Sequence, residues 1–421
     1  MKDNRDNRIA FSLSTEQEVL LHLLAAALGT ESQPLTDEVC RTVDWECVAK
    51  ESMHQTVCPL VFEAASAYQA FIPPKVYERW FTLSFGYMRH AQMTFESQRH
   101  LGELLGDTYP FIILKGAAAA SYYPQAERRC FGDVDFLIDP TQREAVEALL
   151  AADGYERWDS EHICHVVYRK GKEHLEMHFE IAGIPYGKAG ERVRAYIDGA
   201  ERRGREQTVG DVSFPMPSPR DHALILLLHM QHHTLGTGLG LRHLCDWATF
   251  VDRTARESFW QTDVLPLLEE IGLLVYAAAM TKTAAIYLHT ACPPWAESVN
   301  EQLCGGLMED ILTGGNFGRK DDLRAASGML ISENGKDGTR HGMLYNLAHT
   351  LHEAVLLQYP IIKKCPILYP FIYVYKAARF CVLCLCGKRP SLTKRLPYAA
   401  ERKKLYAQLK VFETQDDEVT K

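Results

Sequence analysis

One short segment constrains this chain more than any other. In Phe131-Gly-Asp-Val-Asp-Phe-Leu-Ile-Asp139, Val134, Phe136 and Ile138 alternate with Asp133 and Asp135. In an extended segment that alternation puts the apolar residues on one face and both carboxylates on the other, one pleat apart. The apolar face requires a sheet with a core beneath it. Asp is depleted in strands, so two on one face need a reason. Such a pair can bind one divalent cation, or bridge two at the roughly 3.5–4 Å spacing used in phosphoryl transfer. Mg²⁺ suits hard oxygen ligands and retains waters and phosphates in its shell. The plainer alternative is the solvated face of a half-buried strand.

Two neighbouring segments bear on that choice. Upstream, Pro110-Phe-Ile-Ile-Leu-Lys-Gly116 reads as a buried strand ending in a Lys-Gly turn, followed by a run of alanines. A strand, a Gly turn and a helix start present backbone N–H groups to a phosphate, and Lys115 adds a point charge. Downstream, in His174-Leu-Glu-Met-His-Phe-Glu-Ile181, Leu175, Met177 and Phe179 alternate with Glu176, His178 and Glu180. Glu176 is a candidate third metal-binding acid, or the base for an acceptor hydroxyl, with His178 beside it as a hydrogen-bonding orienter. Arg128 and Arg129 precede the Asp strand, where one of them could clamp a triphosphate. An ordinary solvated turn and polar strand face would explain the same residues.

Around these motifs the 421 residues divide into three zones. Residues 1–106 read as helical, with a long Pro-free stretch after Pro74. Residues 107–217 mix strands with a helix over 141–152, including two strands joined by a Lys-Gly-Lys turn. Residues 218–421 are helical again, with helices expected over 219–233, 241–251, 260–271, 273–288, 297–313 and 344–358. The pattern predicts an α+β protein: a mixed-sheet core flanked by helical N- and C-terminal regions.

Composition narrows the partners. The formal net charge of −8 gives no global attraction to nucleic acid or anionic membrane. The first residues lack the apolar core of a signal peptide, and no apolar run approaches the roughly 20 residues that span a bilayer. A cytoplasmic protein is the expectation. The twelve cysteines then read as buried thiols. Cys381, Cys384 and Cys386 form at most a metal half-site with no fourth ligand in view. His222, His229 and His233 fall near one face of a helix opened by Ser218-Pro219, with His232, Arg242, His243 and Asp246 nearby in the sequence. A Zn²⁺ or Fe hydrolase site is conceivable there, but local polar pairing on a packed helix is the preferred reading. The 313–318 segment reads as a helix cap and turn, and no Gly-x-Ser-x-Gly elbow or P-loop is present.

Taken together, the Lys-Gly turn, the Arg before Gly-Asp-Val-Asp, and the later Glu-x-His-aromatic strand resemble the uncharacterised nucleotidyltransferase family of the DNA polymerase β-like superfamily. The resemblance implies transfer of a nucleoside monophosphate from an NTP, with loss of pyrophosphate and Mg²⁺ or Mn²⁺ as cofactor. By that likeness Asp133, Asp135 and Glu176 match the metal-binding and catalytic acids. Lys115, Gly116, Arg128 or Arg129, and His178 match the nucleotide side. Two departures from the wider superfamily stand out: Gly116 is followed by Ala117 rather than Ser or Gly, and the gap from Gly116 to Asp133 is long. The acceptor is not implied; a small molecule, a protein or a tRNA end all fit, while generic nucleic-acid and membrane binding are disfavoured. Two rivals are a catalytically silent relative that binds nucleotide or a partner, and a hydrolase centred on the histidines.

Overall fold

A computed structural model describes residues 11–158, 164–320, 352, 355, 367, 369–386 and 392–414. Four short helices open the chain: α1 (Thr15–Leu28), α2 (Asp37–Thr42), α3 (Trp45–His54) and α4 (Cys58–Ala65). Ser14 and Gln17 close a capping box on α1, and Gly29, in the left-handed region, ends it. The Pro-free stretch forms one 32-residue helix, α5 (Pro74–Leu105). Its buried residues include Trp80, Ala91, Phe95, Leu101 and Leu105. They carry the helix from the N-terminal bundle across the sheet, where it meets two of the central strands.

The sheet has five strands: β1 (Phe111–Ile113), β2 (Val134–Ile138), β3 (Glu156–Arg157), β4 (His165–Lys170) and β5 (Glu173–His178). Their order is β1-β2-β5-β4-β3. Only β2 and β5 run parallel; the other pairs are antiparallel. The Lys-Gly-Lys segment makes the β4–β5 turn, with Lys170 opposite Glu173 and Gly171 at positive φ. The helices of this zone are α6 (Ala117–Ala120), α7 (Arg143–Ala152) and α8 (Gly187–Ile197). A separate hairpin, β6 (Arg205–Val209) and β7 (Val212–Met216), packs against β1 and α5. Neither α8 nor this hairpin is evident in the sequence pattern. Val212, Phe214 and Met216 do alternate inward, but Pro215 within β7 masks the signal.

Beyond the hairpin lie α9 (Pro219–Leu235), α10 (Leu241–Arg253), α11 (Glu257–Phe259), α12 (Leu265–Glu270), α13 (Leu274–Leu288), α14 (Pro294–Glu297) and α15 (Glu301–Gly314). The helix expected over 260–271 is divided: Trp260–Val264 forms a π turn before α12. Two more helices cover Tyr369–Leu385 and Leu392–Ala407. The helix expected over 344–358 falls outside the described residues except for His352 and Val355, which are helical.

The two helical zones meet each other. Thr30 Oγ1 donates to the Leu288 carbonyl at 2.6 Å. The buried Gln55 donates to the Ile311 carbonyl at 3.2 Å and accepts from the Leu241 N–H at 3.0 Å. One continuous apolar core links α1, the sheet and α13. Among the described residues no helix is long and apolar enough to cross a membrane. Cys40, Cys58, Cys130, Cys245 and Cys304 are buried thiols as expected, whereas Cys47 and Cys386 are exposed. The side chains of Cys381 and Cys384 lie outside the described residues.

Candidate active site

β2 and β5 bring the acids together. Parallel pairing sets Asp135 opposite Glu176 and Phe136 opposite Met177. Beneath them Val134, Phe136, Leu175 and Met177 are buried. The opposite face carries Asp133, Asp135, Glu176 and His178, as strand alternation dictates. Antiparallel pairing with β4 sets His165 opposite His178, their rings 4.8 Å apart. Ligating atoms of His165, Glu176 and His178 all lie within 4.8 Å of one another.

The Lys-Gly turn lies against the same face. Leu114 N–H donates to the Asp135 carbonyl at 2.9 Å, and Lys115 Nζ stands 2.7 Å from Asp135 Oδ1. Gly116 adopts φ 59 and ψ −109, a positive-φ conformation that glycine takes freely and other residues only under strain. The α-helix it opens is a single turn of alanines. His178 Nε2 lies 3.2 Å from Asp135 Oδ1 and 3.4 Å from Glu176 Oε2. One imidazole thus bridges two carboxylates. His174 Nδ1 lies 3.4 Å from Asp133 Oδ1. A cleft of about 170 Å³ opens beside Asp133, lined also by His90, Thr94 and His174.

The charges are unevenly balanced. Burial, Glu176 and Asp135 push the Asp133 carboxyl up, against the pull of His174. Burial acts the same way on Asp135, but Lys115 and His178 outweigh it and hold that carboxyl well below the usual range. Burial disfavours the His178 imidazolium, yet its hydrogen bonds to Asp135 and Glu176 raise it above the ordinary histidine value. Asp135 is therefore compensated from within the protein, and Asp133 is not. The three carboxylates share one face and offer hard oxygen atoms, the ligand type that suits Mg²⁺ or Mn²⁺.

The two arginines take other partners. Arg128 pairs with Glu63 at 2.7 Å and also bonds Gln125. Arg129 is buried and grips Asp246 of α10 with two bonds of 2.7 Å each. Tyr123 donates to the same carboxylate at 2.7 Å. The structure brings neither arginine to the acids, and Arg129 anchors the loop before β2 to α10. The helical face drawn through His222, His229 and His233 is also divided. His222 packs with Tyr122 and Phe250, while His229 and His233 pack with His243. Sequence spacing did not single out His165 or His174; the β4–β5 hairpin brings His165 beside Glu176 and His178, and the pairing of β5 with β2 brings His174 beside Asp133.

The profile of the uncharacterised nucleotidyltransferase family matches residues 41–289, more than half of the 421 residues. No curated protein gives a significant match, nor does any solved structure. The matched span runs from α2 to the end of α13 and takes in the whole acid-bearing sheet. With Asp133, Asp135 and Glu176 on one strand face and a Lys-Gly turn against them, this chain belongs to the uncharacterised nucleotidyltransferase family.

Proposed function

We propose that the carboxylate face transfers a nucleoside monophosphate from an NTP to an acceptor hydroxyl or other nucleophile, with release of pyrophosphate. Family membership implies the NTP substrate. The observation that carries the reading is the pairing of β2 with β5, which sets Asp135 opposite Glu176, with Asp133 one pleat away on the same face. Mg²⁺ or Mn²⁺ held there would activate the nucleophile and screen the leaving charge.

The chain's own groups supply the rest. Asp133, raised and partly open to solvent, and Asp135 are the metal-side acids. Glu176 is a third ligand or the base that takes the acceptor's proton. His178, on the same face, orients Asp135 and Glu176. Lys115, paired with Asp135 in this structure, is placed to exchange that partner for a phosphate oxygen. Gly116 lets the backbone approach closely. The intact set of three acids argues against a catalytically silent relative. The acceptor is a small molecule, a protein or a tRNA end; the cleft beside Asp133 is the side from which it would reach the acids.

Calorimetric titration of ATP, CTP, GTP and UTP with Mg²⁺ tests the reading. Wild type should bind at least one of the four, and the Asp133→Asn/Asp135→Asn variant should not. Each single substitution should abolish transfer, a loss of at least about 10³-fold, and leave the circular dichroism spectrum unchanged. Turnover retained in either single variant rejects the assignment. Glu176→Gln should match them in severity if Glu176 is a ligand, and be milder if it is a base.

A further inference from the structure

Next to the acids, α9 and α10 bring three histidines together. His229 and His233 lie one turn apart on α9, and His243 lies in the first turn of α10. Ring centroids are 4.4 Å apart for His229–His233, 5.2 Å for His229–His243 and 5.3 Å for His233–His243. One ring nitrogen of each lies within 4.8 Å of the others. Phe317 covers the group, 4.7 Å from His233 and 5.7 Å from His243, and the Arg242 guanidinium stands 5.7 Å from the same ring. Lys115, which touches Asp135, is close enough to act electrostatically on all three imidazoles.

The hydrogen bonding of His243 narrows what the group can hold. The Gly240 N–H donates to His243 Nδ1 at 3.4 Å. That nitrogen therefore carries a lone pair, and the proton of the neutral ring sits on Nε2. His243 is 1% exposed, and among the described residues its buried Nε2 has no hydrogen-bond partner. A buried N–H with no acceptor is costly to stability. Arg242 adds a second unmet donor. Among the described residues no carboxylate lies within ion-pair distance of it. Asp246, the acid nearest in sequence, is held by Arg129 and Tyr123. Among the described residues Arg242 bonds only the Cys130 carbonyl, at 3.4 Å, and its buried Nε has no partner there.

Burial and the surrounding positive charge push the imidazoles down, His233 to about 3, so at neutral pH each is an uncharged N–H donor. A metal ion would meet the positive charge of Lys115 and Arg242, and at His243 it would have to displace either the Gly240 N–H from Nδ1 or the proton from Nε2. An anion would meet the same positive charge favourably, and each neutral imidazole has one N–H to offer it. Three N–H groups about 2.8 Å from one oxygen stand roughly 4.6 Å apart, within the observed spacing.

We propose that His229, His233, His243 and Arg242 form an anion subsite for a phosphoryl group. The group is either the phosphate tail of the NTP or a phosphate on the acceptor. Only this choice of source rests on the transfer reading above; the subsite itself does not.

The test is titration of inorganic pyrophosphate into the full chain in metal-stripped buffer. Wild type should bind, and Asp133→Asn/Asp135→Asn should bind at least as well. Arg242→Gln and His243→Phe should each weaken binding at least 10-fold. His233→Asn, at a partly exposed position, should weaken it measurably even if the buried variants fail to fold, which thermal unfolding reports. No binding to wild type, or binding unaffected by any of the three substitutions, overturns the proposal. So does stoichiometric zinc in the purified protein that His243→Phe releases. With Mg²⁺ present, competition between pyrophosphate and ATP assigns the subsite to the donor's tail, and simultaneous binding assigns it to the acceptor. If ATP fails to bind while metal-free pyrophosphate binding still depends on these residues, the subsite stands and the transfer reading falls.

Discussion

A buried, bidentate ion pair fastens the loop in front of the acid-bearing strand to a helix more than a hundred residues further along. Arg129 and Asp246 satisfy each other, with Tyr123 completing the carboxylate's bonds. Removing one partner leaves a desolvated charge, at a cost of about 3–5 kcal/mol. Arg129→Met should therefore lower the free energy of unfolding by that amount in urea titration, and adding Asp246→Leu should restore part of it. If Arg129→Met keeps full stability and loses nucleotide affinity instead, the residue is a ligand and not an anchor. An arginine preceding two aspartates invites a phosphate-binding role. Nothing local in the sequence reveals that its partner is Asp246. That Asp133 and Asp135 share a face was legible from strand alternation alone, whereas Glu176 joins them only through the pairing of β5 with β2. The pairing of Lys115 with Asp135 was not, since it depends on how the turn folds back along β2.

Elements with one strong period were legible in the same way. The Pro-free run of α5 and the alternation of β2, β4 and β5 match the structure closely. The β6–β7 hairpin and α8 were not, because Pro215 and the polar surroundings leave no clear period. Glycine chemistry tests two helices at this scale. A β-carbon on Gly240, just before α10, would lie 2.7–2.9 Å from Asn316 atoms. Gly240→Ala should displace the start of α10 and cost about 1–3 kcal/mol. Gly86, inside α5, has open space around the same position. Gly86→Ala should raise stability by up to about 1 kcal/mol through helix propensity. Thermal unfolding of the two variants checks both, and equal shifts would show that the contact with Asn316 carries no strain.

Across the whole molecule, the joined core makes acid stability a property of distant helices. His222 is buried against Tyr122 and Phe250, and burial lowers it to about 3. In the unfolded chain it titrates near 6.5. Between those values the unfolded state binds the extra proton. The stability contributed by the neutral ring is thus complete above pH 6.5 and declines as pH falls toward 3. Wild type should lose about 2 kcal/mol from this group between pH 6.5 and 5, at about 1.4 kcal/mol per unit. His222→Phe should flatten the denaturation-midpoint profile over that interval, and an unchanged slope would show that His222 is not the group responsible. The parallel pairing of β2 with β5 has a consequence in time. A ribosome delivers Asp133 and Asp135 some forty residues before Glu176, and β5 reaches β2 only after α7, β3 and β4 have crossed over. Closing that loop is the slow, non-local step of such a topology. A nascent chain therefore displays two of the acids well before the third, and the face that sets Asp135 opposite Glu176 is completed late in synthesis.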